Sequence, residues 1–418
     1  MADVQLGAPS IAVVAGPRLA GRLHVRPRWL LARLGMMSFG LVLAVLTLEV
    51  VLHLLGPRLP GLYNLATFQR YHEVYGFFHR PGARGWVRTS EYTSYVQINS
   101  QGLRDREIAV PKPPGTYRVM VMGDSFVEGA QVALEQTLPR QLERQLGGGQ
   151  GGQSRPLETI NAGNAGFGTA QEMLFLEKDG PLYRPDLTIL VFYLDNDAAN
   201  NGVEIAKMLK IDTSHRPFFE VQADGKLHQL GMAPISPEPF GAVRDFLRNH
   251  SLLFNVYENL VTAKVSAKRY HAMRMDRDRN MYRIDPLPEW KAAWTVTEAL
   301  LARAKRSAAA VGTELVVVAA PSQFQIYDDQ WRALISGDRE AQPGMYKRDA
   351  PNRQLAAAAE QAGVRYFDLL PGLREAAASS DVPLYFAEDG HWTAAGHAAA
   401  ARLVAGYLRE QGLDGSNK

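Results

Sequence analysis

The sequence predicts an α/β fold built on a parallel sheet, and three observations predict it. Residues 119–122, 158–161 and 187–193 are runs of buried-strand length and composition. Each gives way to small polar residues: Gly123-Asp124-Ser125 after the first, 162–169 after the second, 194–201 after the third. Segments with helical spacing separate them, which is the βαβ rhythm of a parallel sheet whose polar strand ends gather on one edge.

At 418 residues the chain can bury a large core, as two or three domains or one elaborated α/β domain. It contains no cysteine, which excludes structural disulfides, thiolate metal sites and cysteine nucleophiles, and says nothing about the compartment. The net charge of +3 is uneven, because Arg18, Arg22, Arg26, Arg28 and Arg33 face only Asp3 within the first 33 residues. That leader holds +4, so the remainder is near −1 (+3 minus +4). No basic stripe with interleaved aromatics occurs elsewhere, which argues against nucleic acid as a partner.

Taken in order, 1–33 is a basic leader and 34–55 a 22-residue apolar stretch broken only by Glu49 and His53. As a helix this stretch measures about 33 Å, one bilayer core. Arginines before it and few after it predict a cytoplasmic amino terminus, with everything beyond Gly56 on the far side. A cleaved signal peptide and a buried core helix compete with this anchor. No small-x-small site follows the apolar run, and a core helix leaves the arginine cluster unexplained. Residues 56–116 read as an irregular preface, with a short strand suggested by Tyr92, Tyr95, Val96 and Ile98. The domain expected to carry chemistry runs from 117 to 408. Its helices are expected near 137–146, 171–176, 290–311, 352–362 and 393–408, and further strands at 314–319 and 364–367. A glycine run, 147–152, reads as a flexible connection. Residues 203–290 break the rhythm and carry Phe218, Phe219, Phe240, Phe246 and Phe254; they read as an insertion that forms a lid or substrate wall. Residues 409–418 read as a tail.

Ser125 sits at a strand end, where open α/β folds place ligands, although Asp124 or Ser125 would equally serve as a helix cap. Acyl-ester chemistry needs a nucleophile, a base, an acid to orient the base, and donors for the oxyanion. The sequence offers Ser125, His391 and Asp389 for the first three, and the Ser125 and Gly166 N–H groups with the Asn196 amide for the donors. His397 is a second histidine that could serve as base, Asp197 and Asn200 read as caps, and Arg104 either reaches the site or forms a surface ion pair.

These residues resemble the SGNH (GDSL-type) hydrolase superfamily. Gly123-Asp124-Ser125-Phe126 resembles its first block, Gly166 its second-block glycine, Asn196-Asp197 its third block and Asp389-Gly390-His391-Trp392 its last, in the family's order. They lie within residues 117 to 408, 292 of 418 positions. The elbow G-x-S-x-G is absent, since Val127 holds the last glycine position. Many members place the acid three residues before the histidine, where this chain has Glu388; Asp389 at minus two is similar to the polysaccharide O-acetyltransferases. The resemblance implies a flavodoxin-like three-layer α/β/α sandwich and acyl-ester chemistry without metal or organic cofactor. With the anchor, it implies a single-pass membrane esterase or O-acyltransferase. Its domain would lie outside the cytoplasm and act on O-acetyl esters of a surface or exported glycan, supplied by a membrane-bound acyl-donor partner. The competing expectation is an inactive assembly or glycan-binding protein of the same fold.

Overall fold

The computed structural model describes residues 27–55, 68–147, 156–208, 216–232, 243, 246–247, 251–254, 256–257, 275 and 277–416. The chain divides into two units, Met1–Val51 and Leu52–Lys418. The amino-terminal helix spans Pro27–Leu55 and so starts earlier than position 34. Proline presets the dihedral of a first helical turn, and Arg33 lies 3.4 Å over the Trp29 ring within that turn region. Its stretch Trp29–Leu55 has a mean hydropathy of 2.2 and no buried share, so it is long and apolar enough to cross a membrane.

In the larger unit, five parallel strands form the central sheet: β5 (Tyr117–Gly123), β6 (Leu157–Gly163), β7 (Leu187–Tyr193), β10 (Glu314–Ala320) and β11 (Arg365–Asp368). Their spatial order is β6-β5-β7-β10-β11, which is the flavodoxin-like order 2-1-3-4-5. Side chains alternate across the strands. Met120, Met122, Leu190, Phe192 and Val317 face one buried cluster with helices Thr169–Lys178, Pro288–Val311 and Ala350–Ala362. Val119, Val121, Ile189, Val191 and Val316 face a second with helices Leu138–Gly147, Leu370–Ala378 and Ala394–Glu410. Burial on both faces explains why β5 and β7 read as unbroken apolar runs rather than alternating ones. The expected three-layer α/β/α sandwich is therefore the observed one.

Three segments hold local order that the sequence pattern does not announce. The preface holds two antiparallel hairpins: β1 (Gln69–His72) with β2 (Gly76–His79), and β3 (Arg84–Arg88) with β4 (Thr93–Gln97). The second has its own small core, with Val87 and Val96 against Phe68, Ile98 and Ala130. Strands of four or five residues carry too few alternations to stand out among prolines and glycines. The insertion, where described, contributes helix Val203–Met208, the hairpin β8 (Phe219–Val221) with β9 (Leu227–Gln229), and the buried Phe218, Phe219, Met281 and Tyr282. Phe240 and most of the glycine run lie outside the described residues. The tail is docked: Leu413 is buried and its carbonyl accepts the Tyr117 hydroxyl at 2.9 Å, tying the chain end to the first central strand.

Candidate active site

The order of strands places a switch point between β5 and β7, where consecutive crossovers leave on opposite faces and a crevice opens at the carboxyl ends. Ser125 follows β5, Gly166 follows β6 and Asn196 follows β7, so all three reach this edge. The strand-to-turn junction is tight. A Cβ at Gly163 would lie 2.2 Å from the Glu128 nitrogen, so only glycine lets β6 end against the turn that carries the serine.

Ser125 Oγ lies 2.7 Å from His391 Nε2, and His391 Nδ1 lies 2.5 Å from Asp389 Oδ1. Asp389 and His391 come from one closed loop, in which Phe386 N donates to the His391 carbonyl and Gly390 N to the Phe386 carbonyl. Gly390, at φ +82°, bends the chain between them. That left-handed residue turns Asp389 back onto the ring two positions later, so an aspartate at minus two reaches His391 Nδ1. Phe126 fixes the ring from beside the serine: its ring is 4.9 Å from His391, 4.9 Å edge-on from Trp392 and stacked at 3.8 Å on Tyr193.

Asp389 also accepts from the His391 backbone N–H at 3.3 Å and from the Tyr92 hydroxyl at 3.0 Å, and its backbone N–H donates to Glu91 at 2.7 Å. Burial by itself raises this carboxyl, but the bond and charge of His391 and the Tyr92 hydroxyl outweigh it and hold the group below the usual range. The carboxylate thus stays ionised beside the imidazole. Glu388 is exposed and accepts from Ser90 Oγ at 2.9 Å, so it does not face the ring. His397 is buried with Nδ1 accepting from Leu138 N at 3.1 Å, and burial drives it down to about 3, so it is neutral and committed to packing.

Of the expected oxyanion donors, the Ser125 and Gly166 N–H groups have no acceptor among the described residues. The Asn196 amide donates one hydrogen to Asp124 Oδ2 at 2.9 Å and keeps the other. Asp124 is fully buried and accepts from Phe126 N at 2.8 Å, so it braces both the serine turn and Asn196. The loop 164–166 is held from three directions. Glu128 accepts from Ala165 N at 2.5 Å, Gln69 donates to Ala165 O at 2.7 Å, and Arg216 donates to Gly166 O at 2.5 Å. Glu128 also meets His79 at 3.2 Å, off the line of a good hydrogen bond, with both side chains buried. Burial raises Glu128, but His79, the Ala165 N–H and Arg104 more than compensate and leave it below the usual range. Glu172 and Asp197 lie buried close to Asp124, and burial with mutual repulsion pushes both well up, toward the neutral form.

Two sequence expectations change. Arg104 neither reaches the serine nor forms a surface pair: it is buried and donates to the carbonyls of Glu128, Gly129 and Val132 at 2.6, 2.6 and 2.5 Å. A guanidinium fork suits carbonyls left open where a helical turn ends, and this one closes the turn begun by Ser125. Asp197 and Asn200 do not cap their helix, Asp197–Asn201: Asp197 accepts from Tyr193 N at 2.8 Å and Asn200 donates to Phe167 O at 3.2 Å. Gln69, Glu128 and Arg216 carried no local signal and Tyr92 read only as part of a short strand; Gln69, Tyr92 and Arg216 surround the site because hairpins and insertion fold back upon it, and Glu128 because it ends the turn that Ser125 begins. No cluster of ligating side chains suited to a metal ion occurs among the described residues.

Residues 282–418 match the family model of the SGNH hydrolase-like domain of acetyltransferase AlgX. That third of the chain contains Asp389 and His391; Ser125, Gly166 and Asn196 precede it. No curated protein matches the chain. Similar solved structures include a catalytic variant of the acetylxylan esterase Axe2 from Geobacillus stearothermophilus, at 12% identity over 72% of this chain and 97% of that one, TM-score 0.36. A GDSL-like lipase from Bacteroides thetaiotaomicron is 12% identical over 73% of this chain and 93% of its own, TM-score 0.33. By its sheet order, its ordered blocks and this family match, the chain is similar to the SGNH hydrolases, and over residues 282–418 to the acetyltransferase AlgX.

Proposed function

We propose that this chain is a serine esterase or O-acyltransferase in which Ser125 attacks an acyl ester. The observation that carries the reading is the 2.7 Å approach of Ser125 Oγ to His391 Nε2, two groups 266 positions apart. His391 takes the hydroxyl proton as Oγ bonds to the ester carbon, and Asp389 holds the imidazolium that forms. The carbonyl oxygen becomes an oxyanion received by the Ser125 and Gly166 N–H groups and the Asn196 amide. Collapse breaks the ester C–O bond, and His391 returns the proton to the leaving alcohol. Water or a second hydroxyl then attacks the acyl-serine with His391 again the base, the acyl–Oγ bond breaks, and His391 returns the proton to Ser125 Oγ, giving acid or a new ester.

The finer reading is an acetyl group carried on a surface or exported glycan, a single-pass anchor at Pro27–Leu55, and a domain outside the cytoplasm supplied by a membrane-bound acyl donor. The arginine-rich leader, the exposed apolar helix and the likeness to AlgX support it. The test is fluorophosphonate labelling of the full-length protein in detergent. Label is expected on the wild type and none on Ser125→Ala; a wild type that takes no label sinks the enzyme and leaves a glycan-binding or assembly protein. Incubation with an activated acetyl ester, with and without an oligosaccharide, then separates transfer from hydrolysis by whether acetylated sugar accumulates. Protease added to spheroplasts should digest the large unit, and protection reverses the orientation.

A further inference from the structure

The preface hairpin β1–β2 grips the oxyanion loop at a specific peptide group. Gln69 Nε2 donates to Ala165 O at 2.7 Å and to Asn164 Oδ1 at 3.0 Å. The Ala165 carbonyl can only accept, so the atom facing it is the amide nitrogen, and both of its hydrogens are used. That carbonyl and the Gly166 N–H belong to one planar peptide group. A donor on the oxygen draws density along the amide and leaves the N–H more positive, so the second bond strengthens the first. The Gly166 N–H, with no acceptor among the described residues, is the end of this chain of bonds.

The same hairpin holds the other side of Ala165. His79 stands opposite Gln69 in the β1–β2 register and meets Glu128, whose carboxylate accepts the Ala165 N–H at 2.5 Å. Both backbone groups of Ala165 are therefore fixed, and the orientation of the next N–H follows from them. We propose that Gln69 is a positioning residue for acyl transfer, which aligns and polarises the Ala165–Gly166 peptide that receives the oxyanion. The inference rests on the serine-ester reading above.

The test uses the full-length protein in detergent with p-nitrophenyl acetate, and compares wild type, Gln69→Met, Gln69→Glu and Ser125→Ala. Loss of a whole oxyanion donor costs about 10²–10³ in kcat, so loss of the group that aligns one is expected to cost roughly tenfold. The fall should appear in kcat with KM within about twofold, because the bond matters most when charge develops on the substrate oxygen. Gln69→Glu should recover relative to wild type as pH falls, since a protonated carboxyl can again donate to Ala165 O; Gln69→Met should not recover. Wild-type kcat in Gln69→Met, a loss confined to KM, or a pH-independent deficit in Gln69→Glu overturns the inference. If Gln69→Met fails to fold, the pH trend of Gln69→Glu decides alone. Turnover retained by Ser125→Ala overturns the underlying reading; turnover lost there but intact in both Gln69 variants overturns only the role of Gln69.

Discussion

The two halves of the site are built on opposite plans. Asp389 and His391 sit two residues apart in one loop closed by its own backbone bonds, braced from outside by Glu91 and Tyr92, and Ser125 joins from the end of β5. The oxyanion side is composite: loop 164–166 is positioned by Gln69 from a hairpin, Glu128 from the serine turn and Arg216 from the insertion. A self-contained loop tolerates change in its surroundings, because its geometry is set by adjacent bonds. A loop held by three distant side chains inherits the disturbance of each. Substitutions on the first side should therefore act sharply and locally, and those on the second in graded steps.

The largest effect that sharpens this contrast is expected at the acid. Asp389→Asn keeps the shape of the loop but leaves His391 Nδ1 without an acceptor that stabilises its charge, and should lower kcat about 10³–10⁴-fold with an activated ester. Glu388→Gln, one residue away and exposed, should stay within about twofold. Equal losses in the two variants, read from the same steady-state assay, would break the assignment. On the composite side, Asn196→Ala removes one of three donors and should cost about 10² in kcat with KM nearly unchanged. A rise in KM with kcat unchanged would instead make Asn196 a ground-state contact.

How much of this was legible in the sequence follows from the same division. Asp389, Gly390 and His391 are neighbours in the chain, so their pattern could be read directly, and the buried strands β5 and β7 announced themselves as long apolar runs. The chain-distant partners could not be read. Gln69 lies in a four-residue strand whose burial alternates weakly, and nothing in its neighbours marks an amide that meets a peptide 96 positions later. Arg104 read as a site contact or a surface ion pair and Tyr92 as part of a short strand, because the partners that a guanidinium or a phenol meets depend on tertiary structure that propensity does not encode. The carboxyls Glu172 and Asp197 read as helix and cap residues, and their shared burial near Asp124 arises only when three strand ends converge.

The smallest expected effect lies where the two plans touch. Tyr92 comes from the preface and bonds Asp389 at 3.0 Å, beside Glu91, which accepts the Asp389 N–H, so the loop is braced from the hairpin β3–β4. Its hydroxyl is one of the groups that lower the Asp389 pKa, behind the bond and charge of His391 and against the burial that raises it. Tyr92→Phe removes the hydroxyl and keeps the ring against Phe386, with centroids 5.0 Å apart. The carboxyl pKa should then move up. A depressed carboxylate pKa gives an ionised acid at all pH values above it, and that benefit is lost as pH falls through the folded value. Raising it brings the loss to higher pH, so the acidic limb of kcat/KM should shift upward while the neutral plateau falls only about twofold to fivefold. An unmoved acidic limb with an undiminished plateau would make Tyr92 a packing residue and leave Glu91 as the tie between this loop and the hairpin. A shifted limb would make the preface part of both halves of the site, through Tyr92 at the acid and Gln69 at the oxyanion.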